Sequence, residues 1–293
     1  MSANGPVAAL LADGRLHLQH GPIDLIIEAW GERDEVAASY RQAIARFGDM
    51  LEVLVQELPL LRAPLAEARP LLRGPVARRM LAACWPYRAG FITPMAAVAG
   101  SVADEILQAL LENRVLSRAY VNNGGDIALH LAQGSVLTLG VVNNADNPAI
   151  DAAVSLKASM PVRGLATSGW RGRSQSLGIA DAVTVFAADA AAADAAATMV
   201  ANAVNVEHEA ISRMPARTLR ADSDLGVLPV TVAVGALPAS ICAEALANGC
   251  RRARELQQQG LIYAAYLALQ GETLAVLPAA VRIDQRAHLT ARG

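Results

Sequence analysis

The chain has 293 residues, enough for one large domain or two intimately packed halves, and 54% of them are hydrophobic although only 4% are aromatic. Its core must therefore be built from Ala, Val, Leu and Ile. A formal net charge of −2 supplies no basic footprint, which excludes a nucleic-acid partner. Cys84, Cys242 and Cys250 are an odd number with no CxxC spacing, so they read as small core hydrophobes in a reducing compartment rather than as a disulfide framework or a thiolate zinc site. The first twenty residues carry no basic region ahead of an apolar core, and the most apolar stretch, 176–204, is cut by Asp181, Asp189 and Asp194. The expectation is a cytoplasmic protein without a membrane partner.

In chain order, residues 15–30 read as strands, with DLIIEAW rich in β-branched residues and Gly14 and Gly21 marking turns. From 32 to 58, Ala37, Tyr40, Ile44, Phe47, Leu51, Leu54 and Val55 recur at spacings of three and four, which predicts one long amphipathic helix. Pro59, Pro64, Pro70 and Pro75 punctuate a loop-rich stretch, followed by helices over 76–87 and 94–114, the second opening at Pro94. Consecutive strands are expected over 117–143, a strand at 162–167, a Gly- and Ser-rich loop, a strand at 181–188 and an Ala-dominated helix at 190–205. Residues 206–226 read as loop or short helix, followed by a strand at 228–235, a helix at 238–259 and two strands over 261–283. Short turns between neighbouring strands point to an α+β fold, with antiparallel or mixed sheets covered by helices, in a single domain over 1–293.

Three segments carry candidate chemistry. In ITPMAAVAGSVADEIL (92–107), small residues let a second backbone or a flat ligand approach a helix that bears Asp104 near its middle. In YVNNGGDIAL (120–129), the turn Asn123, Gly124, Gly125, Asp126 suits either a plain hairpin or a cradle for an anion or a base edge. In the stretch 165–204, Thr167, Ser168, Gly169, Ser174 and Ser176 line a loop of hydroxyls and backbone donors to which Arg171 and Arg173 add guanidinium forks, as an anionic small-molecule ligand would need. Asp194 and Thr198 are four apart on a helix; they offer hard oxygens to Mg²⁺, or else a helix-end charge and a hydroxyl bonded back to its own helix.

In this order and spacing, PMAAVAGSVADEI, VNNGGDI, TSG with S-x-S-x-G-x-ADAVTV, and ADAAAT resemble the functionally uncharacterised, cytoplasmic branch of the ApbE-like superfamily. The better-known members of that superfamily are Mg-dependent FAD:protein FMN transferases. The resemblance implies a T-fold-like scaffold, FAD or FMN and Mg as cofactors, cofactor binding by Gly124, Gly125, Asp126, Thr167, Ser168 and Gly169, and metal binding by Asp194 and Thr198; Asn123, Arg173, Ser174 and Ser176 join the candidate cofactor site from the turn and loop that hold those residues. The transferases' K-G-Y-A-x-D helix motif falls on Ala99 to Asp104, and their S-H-I-x-D-P segment on Ser176 to Asp181, so Lys, Tyr and His are replaced by Ala99, Ser101 and Leu177. No catalytic residue is assigned. His17, His20, His130 and His208 read as surface or solvated side chains. Three functions stay open: a diverged protein that binds a flavin, nucleotide or other phosphate-bearing cofactor; a retained FMN transferase acting on a partner protein; and an enzyme of one-carbon or cofactor metabolism on the same scaffold. The Ala-rich helix faces also suit a homo-oligomer.

Overall fold

A computed structural model describes residues 5–141, 152–172 and 174–278. In chain order its elements are β1 (Val7–Leu10), β2 (Leu16–His20), β3 (Ile23–Gly31), α1 (Arg33–Phe47), α2 (Met50–Gln56), α3 (Leu58–Leu61), α4 (Pro75–Cys84), α5 (Val98–Leu111), β4 (Leu116–Asn123), β5 (Asp126–Leu131), β6 (Val136–Val141) and β7 (Ala152–Lys157). There follow β8 (Gly164–Ser168), β9 (Ala182–Ala187), α6 (Ala190–Ala203), β10 (Ile211–Pro215), α7 (Ala216–Leu219), β11 (Pro229–Val234), α8 (Ala239–Gln258), β12 (Ala264–Leu269) and β13 (Glu272–Val276). These residues group into two compact units. The first takes the chain up to Ser135 with Lys157–Ala166 and Ala187–Ala195; the second takes Val136–Leu156, Thr167–Phe186 and the chain from Ala196 onward.

In the first unit β1, β2, β3, β4, β5 and β8 lie side by side with antiparallel neighbours. Alternation puts Leu16, Leu18, Leu25 and Ile27 on one buried face. Against β4 and β5 packs α5, which also touches α1 and α4. The stretch Pro94–Leu111 is long and apolar enough to cross a membrane, with a mean hydropathy of 1.2, but 61% of it is buried. Its place under α1, α4 and the sheet makes it the core helix of this unit.

In the second unit β12 lies between β9 and β13, antiparallel to both, and α8 packs on β12 and β13. The buried stripe of α8, Cys242, Ala245, Leu246, Gly249, Cys250, Ala253 and Leu256, keeps the three-and-four spacing that its sequence shows. β10 pairs with β11, and β6 with β7. The fold is α+β with antiparallel sheets and covering helices, as the pattern of short turns led one to expect.

Several elements differ from the sequence reading. The single helix over 32–58 is two, α1 and α2, with α3 starting at Leu58; the chain turns at Gly48 and Asp49, where ψ of Asp49 is 7°, and Phe47, Met50, Leu54 and Leu61 are all buried. β10 lies within the stretch read as loop; its residues are mostly exposed, so they show no apolar alternation to detect. β1 is exposed along its whole length, and β7 alternates, with Val154 half-buried and Leu156 buried between exposed neighbours; neither was expected. The helix expected from 94 begins as a 3₁₀ turn at Pro94–Ala97. The last part of the strands expected over 261–283 lies outside the described residues.

Candidate functional site

Within the first unit, the starts of α5 and α6 are pressed together. A Cβ on Gly100 would lie 2.2 Å from the Ala190 carbonyl oxygen, and one on Gly164 would lie 2.0 Å from the Asp189 carbonyl carbon, so the close approach requires glycine at both positions. Each helix then caps the other. The Gly100 N–H donates to Asp194 Oδ2 at 2.9 Å, while the Ala190 and Ala191 N–H groups donate to the two oxygens of Asp104 at 3.1 and 2.8 Å. Asp189 completes the start of α6 by accepting from Ala192 N–H at 2.7 Å. First-turn amides have no partner inside their own helix, and a carboxylate satisfies both their hydrogen-bonding capacity and the positive end of the helix dipole.

Asn123 joins this junction, its amide donating to the Ala99 carbonyl oxygen at 3.1 Å. Of the residues singled out from the sequence, the structure therefore brings Asn123 and Asp194 to the same helix start. Gly124 and Gly125 have φ of 65° and 111° and form a two-residue hairpin turn between the paired Asn123 and Asp126, with Gly125 N–H donating to Asn122 Oδ1 at 2.9 Å. The hairpin reading of this turn is thereby met, and Asp126 is buried. Open space lies beside Gly125, where an added Cβ would meet nothing within 4 Å.

The two capping aspartates keep partial solvent access while protein crowds them. Burial, and next the charge of Asp189, push the Asp104 carboxyl up to about 7, against the pull of the Ala191 and Ala190 amides and of Arg79. Burial also raises Asp194, opposed by the Gly100 and Ala99 amides and reinforced by the Asp104 charge. Asp104 opens on a cleft of about 540 Å³ that Arg46, Arg79, Glu105, Gln108 and Asp189 help to line. There Glu105 accepts from Arg46 at 2.9 Å and from Arg79 at 3.1 Å.

In the second unit the loop after β8 is pinned at many points. Gly169 has no room for a Cβ, which would lie 2.4 Å from the Asp181 carbonyl oxygen, and one on Gly178 would lie 2.0 Å from that of Ala201. Thr167 and Thr184 share a hydroxyl hydrogen bond of 2.8 Å. Asn202 Oδ1 accepts from Leu177 N–H at 3.0 Å and from the Ser176 hydroxyl at 3.4 Å, and Ser176 Oγ in turn accepts from Gly178 N–H at 3.2 Å. Thr167 and Ser174 are exposed and Ser168 is half-buried. Arg171, read as a fork for phosphate, is instead ion-paired with Asp181 at 2.8 Å. Arg173 lies outside the described residues. Thr198 follows Asp194 by one turn on α6 and belongs to the second unit, as Thr167, Ser168, Gly169, Ser174 and Ser176 do.

Among the described residues no three His, Cys, Asp or Glu side chains gather as a metal site. One histidine departs from expectation. His20 is 4% exposed, set edge-on to Phe47 and 3.6 Å from Glu52, because the alternation of β2 turns it inward.

The profile of the family described as "AbpE bacteria" matches residues 8–275. The chain belongs to that family. Among curated relatives it is similar to UPF0280 proteins: 40% identical to that of Methanococcus vannielii over 124 residues, 42% of this chain and 50% of the relative; 38% to that of Methanothermobacter thermautotrophicus over 133 residues, 45% and 50%; and 33% to that of Methanopyrus kandleri over 180 residues, 61% and 69%. The chain thus spans about half the length of the first two. Among solved structures it is similar to the apo flavinyl transferase ApbE of Pseudomonas stutzeri, with a TM-score of 0.42 and 11% identity over 94% of this chain and 96% of the other. The ApbE protein of Thermotoga maritima gives a TM-score of 0.38 and 12% identity over 92% and 96%. At that looseness no residue is carried across.

The sequence reading did not assign site roles to Asp104, Asp189, Asp181 and Asn202. Asp104 stood in a motif position, but its partners are 86 and 87 residues away, and nothing local announces a pairing at that distance. Asn202 sits between Ala201 and Ala203 near the end of an Ala-rich segment whose composition signals only a helix.

Proposed function

We propose that this family member holds a flavin or another phosphate-bearing nucleotide, and that binding rather than FMN transfer is its function. The observation that supports the reading is the fixed loop of the second unit. Gly169 and Gly178 leave no room for a side chain and Asn202 accepts from Leu177 N–H, while the hydroxyl-bearing Thr167 and Ser174 remain at the surface. Donors already held in place cost little further ordering when an anion binds. Mg²⁺ fits the chemistry of the donors. It is commonly held by one or two carboxylates together with ligand phosphate and water, and two amides on the Asp194 carboxylate leave it lone pairs to spare. Asp194 would hold the ion, which would supply charge neutralisation for phosphate. Ala99, Ser101 and Leu177 stand where the resembled transferases carry Lys, Tyr and His, so no transfer step is derived.

Calorimetric titration with FMN, FAD and adenine nucleotides, each with and without Mg²⁺, tests the reading. Binding in the micromolar range is expected, strengthened by Mg²⁺, with Asp194→Asn removing the Mg²⁺ effect. Absence of binding by every one of these compounds at high micromolar concentration sinks it.

A further inference from the structure

We infer that Trp170, positioned by Asp181, is the surface on which the planar ring of the ligand stacks; this rests on the binding function proposed above and assigns that site its aromatic contact. Trp170 is the one aromatic residue of the segment 167–176 and it follows Gly169 directly. Its place is fixed from three sides: its backbone N–H donates to the Ala180 carbonyl at 3.0 Å, its indole N–H donates to Asp181 Oδ1 at 3.3 Å, and the Arg171 guanidinium lies 4.5 Å from its ring centroid. The same Asp181 oxygen takes Arg171 Nε at 2.8 Å.

The anchor itself is rigid. The other oxygen of Asp181 accepts from Gln270 N–H at 2.5 Å, and Gln270 has a left-handed φ of 48° in the turn between β12 and β13. The Gln270 side chain accepts from Leu237 N–H at 3.0 Å and donates to the Gly235 carbonyl at 2.7 Å. Asp181 thus ties the indole to the framework of the second unit rather than to neighbouring loop residues.

Despite these ties the indole is not buried: Trp170 keeps an intermediate exposure. A large apolar ring that is both immobilised and left partly in water is costly to maintain alone, and a planar ligand covering it gains contact area with little loss of side-chain freedom. The other two tryptophans have the same intermediate exposure but two ring neighbours each. Trp30 lies against Arg118 and Tyr120, and Trp85 against Arg69 and Arg88. Among the described residues Arg171 is the one cationic or aromatic side chain set against the Trp170 ring.

The test titrates the 293-residue chain into FMN, reading flavin emission alongside calorimetric affinity, for wild type, Trp170→Ala, Trp170→Phe and Asp181→Asn, each checked for folding by circular dichroism. An indole in contact with a flavin quenches its emission by electron transfer, which phenylalanine cannot do. Wild type is expected to quench bound FMN, Trp170→Phe to bind with near-wild-type affinity while leaving the flavin bright, and Trp170→Ala to bind about tenfold more weakly, the usual scale of one aromatic stack. Asp181→Asn is expected to weaken binding and reduce quenching together. If Trp170→Ala binds FMN as tightly as wild type, or Trp170→Phe still quenches, the inference fails while the binding function stands. If wild type does not bind FMN but binds an adenine nucleotide, the alanine and phenylalanine variants decide by affinity alone. If wild type binds none of them, both fall.

Discussion

Gly100→Ala places a Cβ 2.2 Å from the Ala190 carbonyl oxygen, 2.5 Å from its carbon and 2.9 Å from the Ala191 nitrogen. All three are backbone atoms, so no side-chain rotation relieves the overlap. The starts of α5 and α6 must separate by roughly 1 Å to restore ordinary van der Waals spacing. That displacement carries the 2.8, 2.9 and 3.1 Å bonds to Asp104 and Asp194 beyond good hydrogen-bonding range. Three lost caps at about 1 kcal/mol each and about 2 kcal/mol of overpacking, less about 1 kcal/mol from the better helix propensity of alanine, leave a net loss of about 4 kcal/mol. Urea unfolding at neutral pH measures it. Gly90→Ala serves as the control, since there the added Cβ meets only the Tyr87 carbonyl oxygen at 3.9 Å, and its effect should stay within about 0.5 kcal/mol. A Gly100→Ala protein within about 1 kcal/mol of wild type, at unchanged denaturant slope, refutes the reciprocal capping as a source of stability.

Two more outcomes are expected. The folded Asp104 carboxyl titrates at about 7 against an ordinary 3.8, so the folded protein keeps a proton that the unfolded chain has released. The stability from this group is complete below about pH 4 and is lost as pH rises through about 7, a decline of up to about 4 kcal/mol. Asp104→Asn should flatten that part of the stability–pH profile between about pH 4 and 7; an unchanged profile in thermal or urea unfolding counts against the assignment. Cys84 is fully buried, its thiol held well above the ordinary range by burial and secondarily by the Asp194 charge. Iodoacetamide at pH 8 should leave it unmodified in the native protein and alkylate it in urea, as peptide mass spectrometry would show; comparable labelling in both states would contradict that burial.

The elements most legible in the sequence were those with strong periodicity, such as α8 with its three-and-four stripe and the β4–β5 hairpin with its paired glycines. Exposed strands escaped, since β1 and β10 bury little and alternation appears only where one face is covered. Of the candidate site, the glycine turn could be read as a hairpin and the stretch after β8 as a loop, because hydroxyls and glycines are locally conspicuous. The roles of Asp104 and Asp194 as each other's helix caps could not. An aspartate four residues before a threonine on a helix looks the same whether it faces an ion or the first turn of another helix, and only the packing of Gly100 on Ala190 decides what lies in front of it. Arg171 was misread for the same reason: its partner Asp181 is ten residues on, across a loop whose path the sequence does not state.

Both compact units are assembled from separated stretches of chain, and α6 begins in one and ends in the other, with the change falling between Ala195 and Ala196. Neither unit can therefore be obtained as a continuous fragment. A truncation at 135 would leave the first unit without β8 and without the helix start that caps α5, and a fragment beginning at 196 would leave the second without β9 and the pinned loop. Gene fusions, split-protein reporters and limited proteolysis that presume a separable half should yield insoluble pieces here. Recombination between relatives has the same constraint: an exchange that keeps both units whole must respect five junctions along the chain rather than one.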